Sequence, residues 1–256
     1  MKILTWEDAG NSGAPAALSI GVFDGVHRGH QLLIQRVVSR TDAGLVPWAV
    51  TFRQHPRTVL KGNHQGDIYS LRQKLDILES LGIFGALLID FSGNFSKLGG
   101  RAFVEGLKKR LNPVFLAVGS NFRCGYRLDT DAAALRNMTA GEGIKTEILP
   151  PVREGRHPVS SSRIRAAIGA GDLAQAALLL GRRLRIDLRG LVPLKEGAVS
   201  VYDLGAVRRI LPPDGVYQVL VFGQGGAGEG EVKIDGGRII VPYRREEAVT
   251  EIEFGT

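Results

Sequence analysis

Two histidines three residues apart, His27 and His30, close the segment Gly21-Val22-Phe23-Asp24-Gly25-Val26-His27-Arg28-Gly29-His30. Imidazole rings donate hydrogen bonds, so a pair of them can hold anionic oxygens. Glycines before and between the rings let the backbone approach a ligand closely. An apolar run from Ala17 to Phe23 leads into the turn, and an amphipathic stretch leaves it. Strand, tight turn and helix N-terminus together make an anion site. Bare N–H groups and the positive end of the helix dipole point at the same place. A second cluster, Ser160-Ser161-Ser162-Arg163-Ile164-Arg165, has the same chemistry. Its serines are good helix caps. Its arginines crowd a first turn, where cations oppose the dipole unless an anion sits there. The two clusters together imply a nucleotide triphosphate held from two sides.

Other residues carry less. Pro56 fixes its own φ and biases His55 toward extended backbone, which suits an ordinary loop or a flap over a second substrate. In Gly119-Ser120-Asn121-Phe122-Arg123-Cys124-Gly125, two glycines flank an amide, an aromatic ring, a guanidinium and a thiol. No histidine lies near Cys124 in sequence, so it is expected to fill space rather than act as a nucleophile. A zinc site would need a third ligand beside His27 and His30. His55, His64 and His157 are available, but their spacing favours no metal. Asp24 and the pair Asp129 and Asp131 could hold a metal, the pair reading more simply as solvated loop carboxylates.

The elements that must position these residues follow from the apolar pattern. Strands are expected at Ala17–Phe23, Val46–Phe52, Ala86–Phe91, Val114–Val118 and Lys145–Leu149. Between them, Leu71, Leu75, Leu78 and Leu81 form one helical stripe and Phe103, Val104, Leu107 and Leu111 another. Short apolar strands alternating with helices imply a parallel sheet covered on both faces. Ligands of such sheets bind beyond the carboxyl ends of the strands. The histidine turn, the Thr51–Pro56 stretch and Gly119–Gly125 all follow strand ends and should converge on one crevice. The serine cluster opens a helix broken at Gly169–Asp172, and Leu173–Leu180 reads as a short final helix. After Gly181 helical periodicity gives way to β-branched runs at Val199–Tyr202, Val216–Phe222, Glu231–Ile234, Arg238–Val241 and Val249–Phe254, separated by glycine-rich turns. The Gly223–Gly230 stretch is expected to be a mobile hairpin tip. The expected organisation is an α/β domain at 1–181 and a small antiparallel β-barrel-like domain at 182–256.

Composition narrows the class. The 256 residues are 44% hydrophobic and 23% charged, as in ordinary globular proteins. The single cysteine excludes an internal disulfide and a Cys-based zinc site. No apolar run approaches the roughly 18 residues that span a bilayer. MKILTWEDAG lacks the apolar core of a secretory signal, so a cytoplasmic location is expected. The whole net charge of +7 lies in residues 1–181, where 22 Lys and Arg face 15 Asp and Glu; the remainder has 11 of each. Such a field attracts small polyanions. Neither a block of like charges nor abundant aromatics marks a nucleic-acid binder.

Six ordered motifs, GVFDGVHRGHQ, TFRQHPRTVL, LRQKLDILESLGI, VGSNFRCG, VSSSRIR and LLLGR, resemble the bacterial bifunctional riboflavin kinase/FAD synthetase family. The match lies in its FMN adenylyltransferase domain and runs from about Leu18 to Gly181. The resemblance implies a Rossmann-like nucleotidyltransferase fold. It further implies transfer of the adenylyl group of ATP to FMN with Mg²⁺, giving FAD and pyrophosphate. It assigns His27, His30, Ser161, Ser162 and Arg165 to catalysis, and Gly21, Phe23, Gly29, Ser160 and Arg163 to ATP binding alongside the histidines. His55, Pro56, Asn121, Phe122 and Arg123 fall on the flavin side, and no metal ligand comes from the protein. Small-molecule substrates are implied, with neither nucleic acid nor membrane as partner and the oligomeric state open. Ser162 stands where the family has threonine, Cys124 where it has phenylalanine, and Pro158 at an often basic position. The kinase stretch Gly-Phe-Pro-Thr-Ala-Asn is missing after Gly181, so riboflavin kinase activity is expected to be absent. Two alternatives stay open: adenylyl transfer to another small phosphate, and a non-catalytic flavin- or nucleotide-binding regulator.

Overall fold

The apolar runs of the first half become parallel strands because helices cover both of their faces. The computed structural model describes residues 1–7, 10, 13–56, 66–91, 94–242 and 249–255. Among these residues the strands begin with β1 (Lys2–Thr5), β2 (Ala16–Ile20), β3 (Val46–Phe52), β4 (Gly85–Ile89) and β5 (Pro113–Gly119). Two short strands, β6 (Arg123–Cys124) and β7 (Thr130–Asp131), pair with each other ahead of β8 (Lys145–Leu149). The main sheet has the order β1-β4-β3-β2-β5-β8, with every neighbour parallel. Leu18 of β2 stands beside Trp48 of β3 and Leu116 of β5.

Among the described residues, four helices belong with this sheet: α1 (Arg28–Val38), α2 (Leu71–Ser80), α3 (Gly100–Leu111) and α4 (Ala132–Ala140). Side chains alternate across β2. Ala16, Leu18 and Ile20 pack with Phe103 and Leu107 of α3 and Leu135 of α4. Ala17 packs on the other side with Ile34 and Val37 of α1 and Leu78 of α2. Each fully buried Leu or Ile contributes about 1.5–3 kcal/mol. The helix stripes expected from sequence are therefore the faces that cover the sheet. The sequence reading omits β1, whose four residues include the exposed Lys2 and Ile3 and so lack an alternating signal.

The chain forms two compact units, Met1–Asn63 with Lys74–Pro158, and His64–Gln73 with Val159–Thr256. The first holds the parallel sheet and a short hairpin, β9 (Arg153–Glu154) with β10 (His157–Pro158). The second begins its main run with α5 (Ser161–Gly169) and α6 (Leu173–Leu180). Its strands are β11 (Arg185–Asp187), β12 (Leu194–Glu196), β13 (Val199–Asp203), β14 (Gly215–Gly223), β15 (Gly226–Asp235), β16 (Arg238–Pro242) and β17 (Val249–Phe254). They form one antiparallel sheet in the order β11-β17-β14-β15-β16-β13-β12, around buried Val219, Val232, Ile234, Ile239, Val241, Ile252 and Phe254.

Two details of this second unit differ from the sequence reading. The hairpin tip expected over Gly223–Gly230 is much shorter, because β15 starts at Gly226 and pairs with β14 from Gly223↔Gly226 to Gly215↔Ile234. Only Gln224 and Gly225 form the turn. Alternation of Gly with small or acidic residues hides only the part of this strand ahead of the expected Glu231–Ile234, where β-branched side chains are lacking. Strands β11 and β12 are also additional. The first is short and charged, and all of the second is exposed.

In the second unit, residues 66–70 are held by several partners. The Asp67 carbonyl accepts from the Ile210 amide, and its own amide donates to the Arg208 carbonyl. Ser70 and Gln73 form a reciprocal capping box at the start of α2: Gln73 N–H donates to Ser70 Oγ at 2.9 Å, and Ser70 N–H to Gln73 Oε1 at 3.1 Å. Ser70 Oγ also donates to buried Asp187 at 2.7 Å.

Candidate active site

Sheet order locates the crevice. From β2 the chain proceeds through β3 to β4 on one side, then crosses to β5 and β8 on the other. The order reverses between β2 and β5, and the segments leaving their carboxyl ends are the histidine turn and the Gly119–Gly125 loop. Such a switch point is where open parallel sheets hold ligands.

The histidine turn is built under strain. Gly21 N–H donates to the Val50 carbonyl at 3.0 Å, fixing the turn to β3. Phe23 and Val26 take left-handed backbone, with φ of 52° and 38°, and Gly25 has φ of 77°. Such conformations cost non-glycine residues of order 1–3 kcal/mol and need surroundings that impose them. Complete burial of the Phe23 and Val26 side chains supplies that. Gln31 Nε2 donates to the Val26 carbonyl at 2.9 Å, closing the turn from α1.

His27 is the N-cap of α1, and its Nδ1 accepts the His30 backbone N–H at 3.4 Å. In the neutral ring this places the proton on Nε2. The two imidazoles stack with centroids 3.6 Å apart and planes 15° apart, and the Phe23 ring meets His30 edge-on at 5.3 Å. His27 is buried and His30 half-buried. Gly29, between them, lies in the first turn of α1. Gly21, Phe23, His27, Gly29 and His30 are thus brought together on one turn.

Loops from the neighbouring strands carry the residues that the resemblance assigns to the flavin side. His55 and Pro56 follow β3 and are half-buried; the rest of that motif, from Arg57, and His64 lie outside the described residues. Asn121, Phe122 and Arg123 follow β5, where Phe122 N–H donates to the Gly119 carbonyl at 2.9 Å. Asn121 and Arg123 are exposed, and Phe122 and Cys124 rest against the core. Burial, aided by the charge of Asp129, pushes the Cys124 thiol up to about 12. It is a space-filling residue, as its sequence context suggests.

Asp129 and Asp131 have structural partners. The Asp129 carboxylate accepts the Gly100 amide at the start of α3, at 3.2 Å, and the Thr130 hydroxyl at 2.7 Å. Asp131 caps α4 by accepting Ala134 N–H at 2.9 Å. Among the described residues no three His, Cys, Asp or Glu side chains come together as a metal cage.

The serine cluster lies in the second unit. Ser160 is the N-cap of α5 and its side chain accepts from Arg163 N–H at 3.3 Å. Ser161 and Ser162 occupy the first helical positions, half-buried and exposed respectively. Arg163 is half-buried; Arg165 is buried and donates from Nε to the Gly66 carbonyl at 2.8 Å.

Sequence reasoning missed three groups. Arg28 binds Glu154 of β9 at 2.6 Å, tying the start of α1 to the hairpin whose chain continues to Ser160. Phe52, Phe91 and Phe95 form an aromatic patch past the ends of β3 and β4, with centroids 5.6–6.5 Å apart. Lys74 is buried and donates to the Phe52 carbonyl at 2.8 Å. It falls three residues after Leu71 and four before Leu78, on the buried stripe. A cation at that spacing is the signal that could have found it.

A family profile for FAD synthetase matches residues 11–163. The chain belongs to the FAD synthetase family. Among its relatives, the bifunctional riboflavin kinase/FMN adenylyltransferase of Escherichia coli (strain K12) is 31% identical over 214 residues, covering 81% of this chain and 68% of that protein. The FAD synthetase of Listeria monocytogenes is 30% identical over 208 residues, covering 79% and 80%. The crystal structure of a macrolide-efflux protein from Streptococcus pneumoniae superimposes with a TM-score of 0.82 at 24% identity, covering 99% of this chain and 89% of that one. That likeness is one of fold. As a member of the FAD synthetase family the chain has its strained histidine turn and its Asn121 loop at the sheet's switch point. No helix among the described residues is long and apolar enough to cross a membrane.

Proposed function

We propose that this chain is an FMN adenylyltransferase that joins FMN to the adenylyl group of ATP, forming FAD and releasing pyrophosphate. The observation that carries the reading is the stacked His27–His30 pair, presented on a strained turn at the switch point of a FAD synthetase family sheet. An FMN phosphate oxygen attacks the α-phosphorus of ATP. The bond from that phosphorus to the bridging oxygen breaks, and its electrons leave with pyrophosphate. The nucleophile needs no base, since a phosphate monoester has a second pKa of about 6 and is largely dianionic at neutral pH. Catalysis is then alignment and charge stabilisation.

In this reading His27 and His30 donate to the α- and β-phosphates, supported by the turn at Gly21, Phe23 and Gly29. Ser161, Ser162 and Arg165 hold the leaving pyrophosphate, with Ser160 and Arg163 shaping the cap. His55, Pro56, Asn121, Phe122 and Arg123 receive FMN. Mg²⁺ bound with the triphosphate would supply neutralisation of phosphate charge and would ask few ligands of the protein. Residues 1–181 are assigned as the transferase domain and 182–256 as a β domain without riboflavin kinase activity. The cytoplasm is its proposed location.

The test is incubation of the purified protein with ATP and Mg²⁺, with FMN in one tube and riboflavin in another, followed by chromatography. FMN is expected to become FAD and riboflavin to remain. Phosphorylation of riboflavin would overturn the kinase assignment, and unchanged FMN would overturn the main one.

A further inference from the structure

Lys74 joins the segments that leave the carboxyl ends of β2 and β3. Its ammonium donates to the carbonyl of Phe52, at 2.8 Å, and more weakly to the Val22 carbonyl and the Thr51 hydroxyl, both at 3.3 Å. Thr51 Oγ1 donates in turn to the same Val22 carbonyl at 3.1 Å. Val22 lies inside the histidine turn, directly before strained Phe23. Thr51 and Phe52 end β3 and begin the stretch that leads to His55. Lys74 itself is only 8% exposed and Thr51 is fully buried. A lysine loses several kcal/mol of hydration on burial, so its position implies that the acceptors around it matter to the fold of this region.

We propose that Lys74 is a positioning residue that sets the histidine turn and the His55 loop in a common register. The proposal rests on the adenylyltransferase reading for its kinetic consequence, but not for its structural one. Three acceptors belonging to two chemistry-bearing segments converge on one rigidly placed ammonium. When it is lost, the Val22 and Phe52 carbonyls lose a buried charged donor, and each segment is free to relax separately. Both substrates then meet a displaced site, since the turn serves the ATP side and the loop the FMN side. A residue serving only the packing of α2 would instead reduce the amount of folded protein and leave both affinities intact.

The experiment compares wild type, Lys74→Met and, as a surface control on α3, Lys109→Met. Native-state hydrogen exchange is read at the amides of Gly21, Val26 and Arg53, and steady-state KM values for ATP and FMN are measured at a temperature where all three proteins are folded. In Lys74→Met, exchange is expected to accelerate roughly tenfold in both segments, and both KM values to rise roughly five- to tenfold, as expected for a lost charged hydrogen bond. The control is expected to match wild type. Acceleration in one segment alone or only within α2, or an unchanged KM for either substrate, overturns the proposal. Thr51→Val keeps the side-chain volume and deletes one acceptor. It gives the same signature at about two- to threefold and carries the test if Lys74→Met folds poorly. If wild type converts no FMN, the functional reading fails, and the exchange result alone decides the role of Lys74.

Discussion

His27 and His30 show how much a pair of side chains owes to its backbone. The Nδ1 of His27 is occupied by the His30 amide, which orients the first ring, and stacking on it orients the second. Preorganised donors of this kind are usually worth about 10² to 10³ in rate each. His30→Ala should therefore lower kcat by about that factor while its melting temperature stays close to wild type, read by initial rates of FAD formation and by circular dichroism. Cys124 offers the opposite case. With its thiol pushed up to about 12 by burial and by Asp129, almost none is thiolate at neutral pH. Iodoacetamide at pH 7.5 should label it at least about 100-fold more slowly than a free cysteine. Rapid stoichiometric labelling of native protein would contradict that environment. The meeting of His27 and His30 on one turn was legible in sequence because their spacing and the flanking glycines suggested it. Lys74 was not read, since a lysine within a helical stripe looks like solvated surface until its three acceptors are seen to come from other elements.

Among the elements, the parallel strands were legible because two-sided burial writes continuous apolar runs. Expected Val46–Phe52 and Lys145–Leu149 coincide with β3 and β8. What escaped were β1, an edge strand whose partner β4 lies far away in sequence, β12, an edge strand exposed throughout, and the glycine-rich first half of β15, which is a strand only because β14 lies beside it. The Asn121 loop also depends on a distant partner. Asp129 reaches the amide of Gly100, and a Cβ on Gly100 would stand 1.9 Å from Thr130 Oγ1. On Gly125, where φ is +81°, it would stand 2.0 Å from Asp129 Oδ1. Gly100→Ala should thus destabilise by about 2–3 kcal/mol through overpacking and loss of the Asp129 contact. It should also weaken FMN binding more than ATP binding, because it displaces the loop after β5. Urea unfolding and separate KM values would show both. Equal loss for the two substrates would argue that this loop has no preference for flavin.

At the scale of the whole chain, positive charge lies with the phosphate-type motifs and the balanced remainder forms the antiparallel sheet. That second unit has its own electrostatic joint. Burial opposes ionisation of Asp187, but hydrogen bonds from Arg189 and Ser70 outweigh it and hold the carboxyl below its usual range. A depressed carboxyl stabilises above its unfolded pKa of about 4, and the contribution is lost as pH falls through the folded value. Urea stability should accordingly drop as pH falls below about 4. Asp187→Asn should flatten that part of the curve at a cost of about 2 kcal/mol at pH 7. A mutant curve parallel to wild type throughout would remove Asp187 from the account. The central claim is that two clusters more than a hundred residues apart in sequence serve one ATP. FMN-dependent pyrophosphate release tests it most directly in wild type, His30→Ala and the double substitution Ser161→Ala with Ser162→Ala. One pyrophosphate per FAD is predicted for wild type, with rates lower by about 10² or more in both variants while FMN binding persists. Wild-type release by the serine variant, or release without FMN, would contradict it.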